Sequence, residues 1–236
     1  MGPGTAPSIY IDGSYLARTG SWHEEDSPWK AYHVKTMLER NGLEPKTICE
    51  VGCGAGEILN WLSRALPGDE RFYGYEVSPQ AYELCRARAH ERLSFRLGDL
   101  LAGDGPPYDV LMAIDVFEHV EDYLGFLRRL RLKARYKIFH IPLDLSVQSV
   151  LRAAPILKLR REVGHLHYFT KETALKTLED AGYEVLDYFY TATAVELPGR
   201  GWKANLMKLP RNFVFALSPD WAARLLGGYS LMVLAK

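Results

Sequence analysis

Alternating glycines behind a carboxylate make the most chemically specific stretch of this chain: Ile48-Cys49-Glu50-Val51-Gly52-Cys53-Gly54-Ala55-Gly56-Glu57-Ile58. Glycines let the backbone turn tightly and let a ligand approach it closely. The details select among ligands. A dinucleotide fingerprint needs its third glycine at position 57, where Glu57 stands. No phosphate-loop lysine follows the glycines. Glu50 precedes the turn, where a carboxylate disfavours a pyrophosphate and favours a cationic ligand.

Other groups of chemical interest follow. Glu76 lies 22 residues after Gly54, where it can accept two hydrogen bonds from a ribose diol. Its other reading is a charge partner for a helix starting at Pro79. There are seven histidines: His23, His33, His90, His119, His140, His165 and His167. His33 and His90 fall on predicted helices and read as ordinary surface or packing residues. His119, His165 and His167 are candidates for the base that a hydroxyl acceptor would use. His119 also suits a structural imidazole beneath a ligand. His165 and His167 are two apart, so an extended segment points them to the same side. No cysteine or carboxylate set with ligand spacing accompanies them, so no metal site is expected.

The elements that must position these residues alternate in type. Ser27-Pro28 is a cap with proline at the first helical position. Val34, Met37 and Leu38 continue that helix, and Asn41-Gly42 stops it. Strands are expected at Thr47–Cys53, Arg71–Val77, Leu93–Leu97, Tyr108–Ile114 and Lys137–Ile141. Helices are expected from Ile58 to Leu66 (ended by Pro67-Gly68), from Pro79 to about His90, and along Tyr123, Leu124, Leu127 and Leu130. Continuous apolar strands separated by helices imply a parallel sheet covered on both faces. The last third is less regular. Leu145–Leu159 reads as an amphipathic helix interrupted by Pro155, Lys171–Ala181 as a helix, and Tyr183–Val195 as a long β-rich run. Gly201–Leu226 is mixed, with helical patches at Trp202–Leu209 and Trp221–Leu226, and Tyr229–Ala235 is a final strand.

Taken in order, these motifs resemble the class I S-adenosylmethionine-dependent methyltransferases, in particular the small-molecule branch. The resemblance covers roughly residues 45–190. It is carried by Glu50-x-Gly52-x-Gly54-x-Gly56, by Glu76, and by Gly98-Asp99-Leu100. It extends to Ile114-Asp115-Val116-Phe117-Glu118-His119-Val120 and Gly164-His165-Leu166-His167-Tyr168-Phe169-Thr170. It implies an α/β fold: a doubly wound, Rossmann-like, mainly parallel seven-stranded sheet with helices on both faces and an antiparallel last strand. It implies S-adenosylmethionine as cofactor and S-adenosylhomocysteine as product. The implied cofactor-binding residues are Glu50, Gly52, Cys53, Gly54, Gly56, Glu76, Val77, Asp99, Leu100 and Asp115. Glu50 would hold the methionine ammonium, Asp99 the adenine amino group, Leu100 would supply backbone, and Asp115 would lie near the methyl group. One domain over 1–236 is expected: an N-terminal helical cover (1–44), a cofactor-binding core (45–143) and a substrate-side half (144–236). The aromatics Tyr10, Tyr15, Trp22, His23 and Trp29 either close over the cofactor or staple the first helix.

Composition bounds the rest. The 236 residues carry 29 Lys+Arg and 29 Asp+Glu. The neutral total argues for no nucleic-acid partner. No apolar run of 18 residues predicts a membrane span, no signal peptide is visible, and Cys49, Cys53 and Cys85 read as reduced thiols of a cytoplasmic protein. The charge is split, however. Residues 1–122 hold 11 Lys+Arg against 20 Asp+Glu, and residues 123–236 hold 18 against 9. The basic half includes Arg152, Lys158, Arg160, Arg161, Arg200, Lys203, Lys208 and Arg211. Arg160-Arg161, just before His165, can clamp a carboxylate or phosphate. The expected function is therefore methyl transfer to an oxygen or nitrogen of a small, anionic acceptor. A non-catalytic methyltransferase-like binding subunit and, less favoured, an NAD-dependent oxidoreductase are the alternatives.

Overall fold

The computed structural model describes residues 10, 22, 24–66, 68–197, 205–206 and 208–236. The strands are β1 (Thr47–Val51), β2 (Arg71–Glu76), β3 (Leu93–Leu97), β4 (Tyr108–Ile114), β5 (Ala134–Pro142), β6 (Val185–Thr191) and β7 (Ser230–Ala235). The helices are α1 (Ser27–Arg40), α2 (Glu57–Ala65), α3 (Pro79–Arg86), α4 (Tyr123–Leu130), α5 (Val147–Arg152) and α6 (Ala154–Glu162). They continue with α7 (Lys171–Asp180), α8 (Thr193–Glu196), α9 (Lys208–Leu217) and α10 (Pro219–Leu226).

Among the described residues the strands form one seven-stranded sheet in the order β3-β2-β1-β4-β5-β7-β6. β1 to β5 pair in parallel, and β7 runs antiparallel between β5 and β6. Continuous apolar strands follow from burial on both faces. In β4, Leu111 and Ala113 enter one core with Phe117, Phe139 and Leu178. Val110, Met112 and Ile114 enter the other with Met37, Leu62 and Phe72. Strand order reverses between β1 and β4, so the crevice beyond their carboxyl ends is where a ligand belongs. Among the described residues, no helix is long and apolar enough to cross a membrane.

Several expected boundaries shift for local reasons. α3 stops at Arg86 rather than near His90; His90 instead bridges to Leu93, and its Nε2 lies 3.0 Å from Ser63 Oγ. The expected helix over Leu145–Leu159 is two helices, parted at Ala153, whose φ is +53°. Pro155 does not break a helix; it sits in the first turn of α6, where its missing N–H costs no intrahelical bond. The β-rich run ends at Thr191, and α8 occupies most of its expected continuation. Trp202, Tyr15, His23, Arg200 and Lys203 lie outside the described residues, as does Pro67.

Candidate functional site

β1 delivers the glycine loop to the switch point. Gly54 and Gly56 have φ of +54° and +78°, left-handed values that favour glycine. A Cβ at Gly56 would stand 2.6 Å from the Phe95 ring and 2.7 Å from Cys85 Cβ. One carboxylate ties the loop down: Glu76 accepts from the Gly54 N–H and the Ser78 N–H, each at 2.8 Å. Glu76 therefore does sit at the start of α3, and it also lines a cavity. Burial raises its pKa, against the pull of those backbone N–H groups.

Two cavities meet at the sheet's carboxyl edge. The smaller, about 170 Å³, is lined by Tyr10, Val51, Glu76, Val77, Asp99 and Leu101 among others. Asp99 accepts from the Leu101 N–H at 2.8 Å. Leu100 is 5% exposed and packs into the core, so Leu101 is the leucine presented to this cavity. The larger cavity, about 520 Å³, runs from Cys53, Gly54 and Gly56 past Glu50 to residues of the last third. Gly52, Trp22, Asp115 and His119 line both. Glu50 is 2% exposed and its Oε2 has no hydrogen-bond partner. Burial pushes the Glu50 carboxyl well up, opposed by the charge of Lys30. An anionic form there needs a cation, and a ligand ammonium in the adjoining cavity supplies one. The residues present thus fit S-adenosylmethionine: a buried acceptor for the ammonium, and the acids Glu76 and Asp99 on the smaller cavity for the adenosine.

Asp115 directly follows β4, at φ +54°. Its carboxylate pairs with Lys30 Nζ at 2.8 Å and His140 Nδ1 at 2.6 Å, and His140 Nε2 meets Thr191 Oγ1 at 2.9 Å. Burial opposes ionisation of Asp115, but the charges of His140 and Lys30 outweigh it and hold the carboxyl far below the usual range. This network fastens α1 to the edges of β4, β5 and β6.

The candidate bases separate. His167 Nε2 bonds the Val120 carbonyl at 2.9 Å and its ring packs on Tyr123, away from both cavities. The expectation that His165 and His167 point to the same side is therefore not met; His165 instead meets His119 edge-on, with ring centroids 4.8 Å apart. Both of these line the larger cavity. Tyr10 donates its one hydroxyl proton to the Val163 carbonyl at 2.6 Å, so the His119 Nδ1 it meets at 2.8 Å carries a proton. His165 Nδ1 lies 2.6 Å from Asp144 Oδ2, a carboxylate that must accept. Each Nδ1 is thereby engaged, and in a neutral ring Nε2 is the nitrogen that keeps a lone pair. Burial, and then His165, lowers the His119 pKa to about 3. Beside them lies the wholly buried Glu118, whose two carboxylate oxygens have no hydrogen-bond partner. Burial, and then the charge of Asp115, raises the Glu118 carboxyl well above its usual value.

Arg160 and Arg161 are exposed on α6 and are not among the cavity-lining residues; Arg152 and Arg211 are. Glu118, Lys30, Asp144 and His140 were not singled out from sequence. Glu118 carried a signal, its place beside His119 after β4. His140 carried a weaker one, since β4–β5 register sets it opposite Ile114, next to Asp115. Lys30 and Asp144 carried none.

The methyltransferase-domain family matches residues 22–188. A ubiquinone biosynthesis O-methyltransferase of Methylocella silvestris is 31% identical over 91 residues, 36% of this chain and 34% of that protein. Its counterpart in Vibrio parahaemolyticus is 24% identical over 62% of this chain and 69% of the relative. The chain thus spans about a third of the first curated relative and somewhat over two thirds of the second. In structure it is similar to a magnesium protoporphyrin IX methyltransferase from Synechocystis, solved with bound SAH (S-adenosylhomocysteine). The TM-score is 0.59 at 20% identity, over 88% of this chain and 82% of that one. At that identity the likeness is one of fold.

Proposed function

Since the chain belongs to the class I S-adenosylmethionine-dependent methyltransferases, we propose that it moves the methyl group to a hydroxyl oxygen of a small, anionic acceptor. The observation that carries this reading is the buried Glu50 carboxylate beside the glycine loop, whose Oε2 has no hydrogen-bond partner, on a cavity that continues to His119 and His165. The names of the relatives support oxygen over nitrogen as the acceptor atom.

S-adenosylmethionine brings an activated methyl whose S–C bond breaks as the acceptor's C–O bond forms, leaving S-adenosylhomocysteine. The protein's tasks are then to hold, align and exclude water. Glu50 holds the ammonium, Glu76 the ribose diol and Asp99 the adenine amino group. Trp22 lines both cavities and Tyr10 the smaller one. The acceptor occupies the larger cavity, with its hydroxyl toward His119 and His165 and its anionic group toward Arg152 and Arg211.

Calorimetry with S-adenosylhomocysteine and NAD tests the cofactor half: the first should bind and the second should not. A methyl-transfer screen by mass spectrometry, using hydroxylated aromatic acids against matched amines and neutral phenols, tests the acceptor half. O-methyl products from the acids are expected. Turnover confined to amines overturns the oxygen reading, and cofactor binding without any turnover would favour a binding subunit.

A further inference from the structure

Three groups meet where the sheet's carboxyl edge faces the larger cavity: Glu118 on the turn after β4, His119 beside it, and His165 on the segment before α7. One ligand atom from each lies within 4.8 Å of the other two. His119 Nε2 is 3.8 Å from Glu118 Oε1. In the neutral rings Nε2 is the lone-pair nitrogen, and the Glu118 oxygens bear lone pairs as well. Tyr10 fixes the proton of His119 on Nδ1, and Asp144 fixes that of His165 on Nδ1. Both Glu118 oxygens are buried and without a hydrogen-bond donor. Acceptors that face one another in a buried place repel unless a cation or a donor joins them.

We propose that Glu118, His119 and His165 form a binding site for a divalent first-row transition metal ion. Two imidazoles and one carboxylate are the donor set that zinc, cobalt, manganese and iron share, with too few oxygens to suit calcium or magnesium. Bonds of about 2.0–2.1 Å in a tetrahedron place ligand atoms about 3.3 Å apart, so a modest contraction of the cluster completes the site. The supporting layer is already built. A carboxylate behind His165 and a tyrosine hydroxyl behind His119 orient the rings as metal sites require. The Leu166 and His167 N–H groups bond the Glu118 carbonyl at 2.8 and 3.1 Å, which docks the His165 segment against the Glu118 turn.

Three protein ligands leave coordination positions open toward the cavity that both histidines line. An acceptor hydroxyl bound there ionises more readily, its proton passing to water in the cavity, and the resulting oxygen anion is the better nucleophile. This last step rests on the methyl-transfer reading; the metal site itself does not.

The test is equilibrium dialysis of the purified, chelator-stripped chain against Zn²⁺ and Co²⁺, with metal analysis and the visible spectrum of the Co²⁺ form. One ion per chain with micromolar or tighter affinity, and a tetrahedral or five-coordinate cobalt spectrum, are expected. His165→Gln and Glu118→Gln should each weaken metal binding at least 100-fold while S-adenosylhomocysteine affinity stays within about threefold. Circular dichroism and thermal melts identify a variant that fails to fold, in which case His119→Gln replaces it. No stoichiometric ion in the wild-type chain overturns the proposal, leaving water or a proton to join the three groups. Binding that survives all folded variants overturns it too. Stoichiometric metal binding sensitive to these variants in a chain with no methyl transfer would uphold the site and remove only the activity assigned above.

Discussion

Glu50 is where burial and function can be separated by one atom. Glu50→Gln keeps the shape and removes the charge that would face a ligand ammonium. A charge-assisted hydrogen bond of about 1.5–3 kcal/mol is lost, so S-adenosylhomocysteine affinity should fall roughly 10- to 150-fold in calorimetry. The melting temperature should hold or rise, because a buried charge whose Oε2 lacks a hydrogen-bond partner is removed. Lys137 gives a second test, away from the site. It is 3% exposed on β5, with Nζ 5.5 Å from the Tyr183 ring centroid. Burial, reinforced by Arg131, pushes its pKa down to about 8, against about 10.4 in an unfolded chain. Below pH 8 both states carry the proton and the folded chain bears the full cost of the buried charge. Between about pH 8 and 10.4 only the unfolded chain keeps it, so stability rises with pH. Lys137→Met should be more stable at pH 7, by at most about 3 kcal/mol. Its advantage in urea unfolding should shrink as pH approaches 10. At this scale the sequence was legible where chemistry is local to a strand end, as for Glu50, Glu76 and Asp99. It was not legible where 46 residues separate His119 from His165, because tertiary bonds, those of the Leu166 and His167 N–H groups to the Glu118 carbonyl among them, bring them together.

Elements were legible where side-chain pattern alone decides them. β4 reads as buried because Val110, Met112 and Ile114 serve one core and Leu111 and Ala113 the other. Elements after β5 were harder, since their apolar residues face outward: Val150, Leu151 and Leu157 on α5 and α6 are more than half exposed. Their periodicity resembles that of one long helix, and the reversal at Ala153 leaves no trace in it. Pro155 marked the interruption two residues late, because proline is accommodated in a first turn. The glycine loop shows the opposite case, in which backbone need is written directly in residue type. Gly56→Ala adds a Cβ at 2.6 Å from the Phe95 ring on a backbone at φ +78°. Strain and overpacking together should cost about 2–4 kcal/mol in denaturant unfolding. The cost should fall on the β1–α2 junction, so any S-adenosylhomocysteine affinity that remains should be reduced as well. A variant as stable as the parent would mean that the loop relaxes freely and does not pre-shape the ligand site.

Over the whole molecule the acidic and the basic half of the chain both contribute to the wall of one cavity. Asp26, Glu50, Glu57 and Asp115 line it with Lys30 from the acidic half, and Arg152 and Arg211 line it with Asp144 from the basic half. The counts in the two halves of the chain already contained the bias; which arginines line the cavity was not contained there. Arg160 and Arg161 face solvent on α6, whereas Arg152 ends α5 at the cavity and Arg211 is held there by its bond to the Gly227 carbonyl. The two sets of residues should respond differently to salt. Glu50 is buried, so screening reaches its interaction weakly, and cofactor affinity should change less than about twofold between 0.05 and 0.5 M salt. Arg152 is exposed, and a Debye length that shrinks from over 10 Å to under 5 Å screens its attraction for an anionic acceptor. The acceptor KM should therefore rise about three- to tenfold over that range, with kcat nearly constant. Arg152→Ala should raise KM by a similar factor at low salt and lose its effect at high salt, because charge is what the substitution removes. A neutral analogue of the acceptor should show neither dependence. If Arg152→Ala lowers kcat at every ionic strength instead, Arg152 shapes the cavity wall, and the anionic acceptor loses its strongest support.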